Sequence, residues 1–151
     1  MMKKWKENIF YLFFPIIMGS IVGIAVNNFM DYKDLVQPLL APPSFLFPVM
    51  WSIIYLLMGI SYFIYRKEFN SDKTKTVYYI QLFVNLLWSI IFFVWKLRLL
   101  AVFWIILLDI LVIWLIILFL KEKKISAYLN IPYLIWILFA TYLTTAIYFL
   151  N

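Results

Sequence analysis

Five stretches of this chain are each long and apolar enough to cross a lipid bilayer, and that leaves it few possible folds. The hydrocarbon core takes about 20 residues of helix. The stretches Ile9–Phe29, Phe45–Tyr65, Thr76–Trp95, Leu99–Leu120 and Ser126–Leu150 each supply that length. They are too long for buried strands and lack the alternation of a membrane barrel. Charged clusters punctuate them, from Asp31 to Asp34, Arg66 to Lys75, Lys96 to Arg98 and Lys121 to Lys124. Every backbone group in a bilayer must find its partner within the segment. The chain therefore reads as an all-α, five-transmembrane-helix bundle, one domain spanning residues 1–151, in a multi-pass arrangement in the cell membrane.

Composition narrows the chemistry. With 67% hydrophobic and 13% charged residues, there is too little polar surface to cover a water-soluble globule. The net charge of +6 sits in short clusters at the ends of apolar runs, which reads as membrane flanks and not as a nucleic-acid-binding stripe. Cysteine and histidine are both absent, which removes thiol nucleophiles, thiolate metal sites, the commonest general base and the commonest metal ligand. Three glycines, Gly19, Gly23 and Gly59, cannot build a phosphate-cradling loop. No metal and no cofactor are expected.

Charge also orients the bundle. Lys3, Lys4, Lys6, Arg66, Lys67, Lys73, Lys75, Lys121, Lys123 and Lys124 fall on one side, and Lys33, Lys96 and Arg98 on the other, a split of ten to three. The positive-inside rule then places the N-terminus in the cytoplasm and the C-terminus outside. A signal-peptide reading of the first run is disfavoured by its length, and cleavage after it would leave the other four spans oriented as before. The outward segment 27–44 carries Pro38, Pro42 and Pro43, which stiffen it into extended or turn geometry. It reads as a lid or as a constrained connector, with Ser44 at the position of an N-cap for the second span.

At 100° per residue, Trp51, Tyr55, Met58 and Tyr62 share one face of the second span to within about 60°. Gln81, Asn85, Trp88 and Phe92 do the same in the third, with Phe83, Leu87, Ile90 and Val94 opposite. The fifth aligns Pro132, Trp136, Phe139 and Leu143, with Ala140 beside them. Amides are costly in hydrocarbon, so Gln81 and Asn85 should point inward and find partners there. Large rings between helices leave irregular space suited to a flat, apolar, partly polar ligand. The same spacing equally serves an ordinary aromatic core in which Asn and Gln join helices.

Asp109 is the only acid within a span, about 15 Å into the fourth helix. Without a His, a Lys or a second carboxylate in any span it cannot form a proton relay. It is expected to hydrogen-bond a tyrosine, threonine or backbone group of a neighbouring helix. Gly19 and Gly23 form a GxxxG, and Ala140 with Thr144 continues small spacing in the fifth span. Both allow close helix approach, within the bundle or between protomers.

These motifs resemble the TspO/translocator family, also called peripheral benzodiazepine receptors or tryptophan-rich sensory proteins, over almost the whole chain. The resemblance rests on Tyr32, Pro38, Pro42-Pro43, Val49-Met50-Trp51, Tyr55 and Met58-Gly59. It continues through the run from Gln81 through Asn85 to Trp88-Ser89, with Phe92-Phe93. It closes on Pro132-Tyr133-Leu134, Trp136, Phe139-Ala140-Thr141, Leu143 and Leu150-Asn151, and Asp109 falls where the family commonly carries an aspartate. The resemblance implies a five-helix bundle, often a homodimer, with a pocket near the face of the first loop, which closes over it. The implied ligands are porphyrins such as protoporphyrin IX, the compound PK11195 and, in animal members, cholesterol. By family pattern Trp51, Asn85, Trp88, Trp136, Ala140 and Leu143 would line or support the pocket. Periodicity adds Tyr55 and Phe92, and Tyr32, Pro42 and Pro43 belong to the lid loop. Trp51 and Trp136 are expected to face one another across the ligand.

Two positions depart from the pattern. Leu40 stands where most members carry a tryptophan before the second span, which removes a ring from the lid side, and Leu143 is followed by Thr144 where an asparagine is usual. No basic residue follows Tyr142 or Tyr148, so the proposed cholesterol motif fails here. The leading expectation is a membrane receptor or sensor for porphyrins and PK11195-like apolar molecules. The alternatives are light- and oxygen-dependent degradation of protoporphyrin, in which Trp51 and Trp136 would be catalytic, and porphyrin transport. Transport is ranked last because the chain shows no broken helices or inverted repeats.

Overall fold

The structure, a computed structural model, describes residues 2–151, with side chains from Lys6 onward. Its long helices follow the apolar runs: α1 (Met2–Asn27), α2 (Leu46–Arg66), α3 (Asp72–Ser89) and α4 (Arg98–Glu122). The fifth run divides into α5 (Lys124–Leu129) and α6 (Ile131–Leu150), which corrects the expectation that no span is broken. Five spans are long and apolar enough to cross a membrane, the last of them Lys124–Leu150, made of α5 and α6 together. A 3-10 turn, Tyr32–Asp34, lies in the first loop, and α3 runs on into a π-helical turn, Ile90–Val94.

The helices form a closed ring. α1 packs on α2 and α3, α2 on α5 and α6, and α4 on α3, α5 and α6. Contact between α1 and α2 is closest at Gly59, where an added Cβ would lie 2.0 Å from the Leu12 carbonyl oxygen. The inward faces read from periodicity hold for α2 and α3. Tyr55, Met58, Tyr62, Gln81, Asn85, Trp88 and Phe92 are all buried, and Trp51 is half-buried. Tyr62 and Tyr78 stack with centroids 4.0 Å apart. Phe83 on α3, Ile17, Ile21 and Ile24 on α1 and Phe103 and Ile110 on α4 are exposed, as suits a lipid-facing surface.

Two sequence expectations are corrected. α2 opens with Phe45, and not Ser44, at its N-cap, and no side chain caps it. Its first amides turn back to loop carbonyls instead, Leu46 N–H to Pro43 O at 3.1 Å and Phe47 N–H to Ser44 O at 3.4 Å. Pro132 is exposed and not inward. It sits in the first turn of α6, where its missing N–H costs no helical bond. The buried face of α6 is carried by Tyr133, Trp136, Ile137, Ala140, Leu143, Thr144 and Ile147.

Pro132 lacks the N–H that would carry α5 on into α6, and a polar clasp sits at the break. Ser61 Oγ donates to Ser126 O at 2.9 Å while Ser126 Oγ donates to Ser61 O at 2.8 Å, a reciprocal clasp between α2 and α5. Asn130 Nδ2 closes it, donating to Ser61 Oγ at 2.6 Å and to Ser126 O at 2.8 Å. All three residues are buried, so the clasp satisfies groups that hydrocarbon would leave unpaired.

Candidate ligand-binding site

The site is built at the bundle end where the first loop, the turn after α3 and the C-terminus meet. Residue 40 and residue 96 set the local chain direction: Leu40 and Lys96 both adopt left-handed φ, 68° and 55°. The π turn at Ile90–Val94 ends α3, its last amide bond running from Trp95 N–H to Ile90 O at 2.9 Å. Its extra residue per turn lets Phe92 and Phe93 both turn inward, and both are buried.

The first loop is strapped down at three places. Arg98 Nη2 donates to Asp31 Oδ2 at 2.6 Å, with Lys96 Nζ 3.6 Å from the same oxygen. The Asn151 side-chain amide pairs with both backbone groups of Val36, each bond 3.0 Å. Tyr142 Oη donates to Leu39 O at 2.6 Å. Tyr32 projects from this loop into the bundle, 3% exposed, its hydroxyl donating to Pro42 O at 2.8 Å and its ring edge-on to Phe47 at 4.9 Å. Burial pushes its phenol pKa up. Tyr32 belongs to one buried cluster with Trp88 and Phe92, Ala101 and Ile105 of α4, and Ala140 and Ile147 of α6, so it closes the mouth between α3, α4 and α6. Pro42 is buried, whereas Pro43 is exposed. Leu40, in place of a ring, is 74% exposed.

With that mouth filled, the open space lies to one side. A cavity of about 580 Å³ runs between α1 and the loop-side ends of α2 and α3. Ile16, Gly19, Val22, Gly23 and Val26 of α1 form one wall, and Phe47, Trp51, Tyr55, Trp88 and Phe93 the other. Ser20, Asn27, Asn28, Ser52 and Ser89 supply polar groups. Gly19 is required here because an added Cβ would lie 2.4 Å from the Tyr55 ring, whereas one at Gly23 would meet nothing within 4 Å. Trp51 stacks on Tyr55 at 5.7 Å. Trp88 Nε1 is enclosed by protein and has no hydrogen-bond partner, so it is the ring of Trp88 that the cavity meets.

Behind that wall runs a chain of hydrogen bonds. Tyr55 Oη donates to Asn85 Oδ1 at 2.5 Å, Asn85 Nδ2 to Tyr133 Oη at 2.8 Å, and Tyr133 Oη to Gln81 Oε1 at 2.8 Å. Gln81 Nε2 ends the chain on Met58 Sδ at 3.4 Å. The amides thus find partners inside the bundle, and the Tyr55 ring is held in orientation.

Of the candidate residues, Trp51, Tyr55 and Trp88 come together on the cavity wall. Asn85 stands one hydrogen bond behind them, and Phe92 stacks on Trp88 at 5.2 Å. Trp136 touches Trp51 edge-to-face at 6.3 Å, so the two rings contact each other directly and leave no slot for a ligand between them. Ala140 and Leu143 are buried on α6 and do not line the cavity. Asp109 accepts from Thr141 Oγ1 at 2.7 Å, a partner on the neighbouring helix, and lies away from the cavity.

Sequence reading missed the contribution of α1 and the central place of Tyr133. For Tyr133 a signal was present, since it lies three residues before Trp136 and shares its face. For α1 the signal was the pair of small residues, read only as a packing motif.

Comparison with known proteins agrees with this architecture. The profile of the TspO/MBR family matches residues 11–150. The tryptophan-rich protein TspO of Archaeoglobus fulgidus is 37% identical over 152 residues, covering 95% of this chain and 99% of that protein. The tryptophan-rich protein TspO of Chlorobaculum tepidum is 34% identical, covering 86% of this chain and 89% of its own length. A tryptophan-rich sensory protein of Cereibacter sphaeroides is 30% identical over 73% of this chain and 70% of its own. With five apolar spans, a proline-rich first loop and this extent of match, the chain belongs to the TspO/MBR family of multi-pass membrane proteins.

Proposed function

We propose that this protein is a membrane receptor or sensor that binds a porphyrin such as protoporphyrin IX, or a PK11195-like apolar molecule, in the cavity beside α1. The observation that carries the reading is the aromatic wall of Trp51, Tyr55 and Trp88 around about 580 Å³. A cavity of this size lies within the range of small-molecule sites. Flat rings stack on such walls, and the few polar groups at the rim suit a ligand with polar substituents. The name "sensory" carried by the Cereibacter sphaeroides relative points the same way.

Titrating protoporphyrin IX into the detergent-solubilised protein in the dark, read by its absorbance, tests this. The paired substitution Trp51→Phe and Trp88→Phe is expected to weaken binding by tenfold or more, about 1.4 kcal/mol. Trp136→Phe, one ring behind the wall, should stay within about threefold. No spectral change with the parent protein, or a Trp136→Phe loss equal to that of the pair, would refute the assignment.

A second reading rests on the contiguity of oxidisable rings. Trp136 touches Trp51, which stacks on Tyr55 at the cavity wall, a run of side chains able to donate electrons to a photoexcited porphyrin, with oxygen as the final acceptor. In light and air that reading expects bleaching faster than for free porphyrin in detergent, and Trp51→Phe should slow it more than it weakens binding.

The orientation proposed with this function puts the N-terminus in the cytoplasm, on the ten-to-three division of Lys and Arg. Asp72→Cys should then label only from the inside and Lys33→Cys only from the outside; labelling from swapped sides would reverse the topology, and labelling of both from one side would void it.

A further inference from the structure

The basic end of the bundle carries a second concavity, unrelated to the first. A groove of about 430 Å³ lies between the start of α1 and the start of α3, lined by Lys6, Glu7, Phe10, Tyr11, Lys75 and Tyr79. We propose that it holds the headgroup of an anionic phospholipid.

Its walls are fixed by packing. The Tyr11 ring lies edge-on to Tyr62 at 5.2 Å and Tyr79 edge-on to Phe14 at 5.9 Å, so both phenols stand on a rigid aromatic floor. The Arg66 guanidinium lies 5.2 Å over the Tyr11 ring and adds a third cation beside the groove. Lys6 and Lys75 are exposed and take part in none of the ion pairs among the described residues. Among the described residues, Glu7 is the only acid lining the groove.

This combination matches a phosphodiester better than a free anion or an acidic protein. Lysine ammonium groups supply charge, tyrosine hydroxyls donate to phosphate oxygens, and rings at the same depth suit the headgroup layer. Acyl chains also have a path. From Phe10 an apolar stripe continues along α1 through Phe13, Ile17, Ile21 and Ile24, all exposed and at helical spacing. A lipid seated in the groove would lay its chains along that stripe, whereas a soluble anion would leave it uncovered.

Native mass spectrometry of the full chain in detergent, titrated with dioleoylphosphatidylglycerol or dioleoylphosphatidylcholine, tests the assignment. The parent protein is expected to favour phosphatidylglycerol by at least about tenfold. The paired change Lys6→Gln and Lys75→Gln should remove most of that preference. The charge-matched control Lys121→Gln and Lys124→Gln, away from the groove, should keep it. Glu7→Gln offers the opposite sign, a severalfold tightening, and decides the matter if the lysine pair fails to fold. Equal binding of the two lipids by the parent, equal losses in the groove and control pairs, or no gain with Glu7→Gln would each overturn the proposal.

Discussion

Gly59→Ala is expected to destabilise the protein by roughly 3 kcal/mol, a large effect for one methyl group. The methyl would be placed 2.0 Å from the Leu12 carbonyl oxygen, 2.9 Å from its carbon and 3.4 Å from its Cα. The obstacle is helix backbone, which cannot rotate out of the way as a side chain would. In the native protein the glycine Cα–H points at that carbonyl, a close approach that small residues permit between membrane helices. Restoring ordinary contact means moving α1 off α2 by more than an ångström, and the loss then spreads along the α1–α2 interface. Gly23→Ala is the control, since nothing lies within 4 Å of its added Cβ, and it should shift stability by less than about 0.5 kcal/mol. Equilibrium unfolding in mixed detergent and denaturing micelles measures both. A Gly59→Ala variant as stable as the parent would mean that the two helices do not approach as closely as described.

That contrast marks what the sequence makes legible. Spans, order and inward faces follow from physics that acts within one segment. Apolar length sets the span, and 3.6-residue periodicity puts Trp51, Tyr55 and Met58 on one side of α2 and Gln81, Asn85 and Trp88 on one side of α3. Asp109 could likewise be assigned an interhelical partner from cost alone, and Thr141 supplies it. Features that depend on two distant segments were not legible. The clasp of Ser61 with Ser126 and Asn130 joins positions 65 and 69 apart, and the strap from Val36 to Asn151 spans 115. Pro132 fits the spacing of Trp136, yet the helix starts one residue before it, and the face turns on Tyr133 instead. Gly19, Gly23 and Gly59 look alike in a sequence. One accommodates a ring, one opens on a cavity and one admits a backbone, and only the packing of α1 tells them apart.

The cavity assignment makes its strongest demand at Gly23. A side chain there has room, and Gly23 lines the cavity opposite Trp51 and Tyr55, so Gly23→Trp should fill much of the space that a flat ligand would need. Protoporphyrin affinity is expected to fall at least 100-fold, about 2.7 kcal/mol or more. Stability should stay near that of the parent, because nothing lies within 4 Å of an added Cβ at Gly23 and the ring would enter the cavity volume. This separates occlusion from unfolding, which Gly59→Ala cannot do. It also separates the cavity beside α1 from a site centred on Trp136 and α6, since those side chains do not line the space that the new ring would occupy. Dark absorbance titration read beside a thermal melt gives both quantities from one preparation. Full affinity in a folded Gly23→Trp protein would place the ligand elsewhere, with the tightly packed Tyr32 mouth the next position to open.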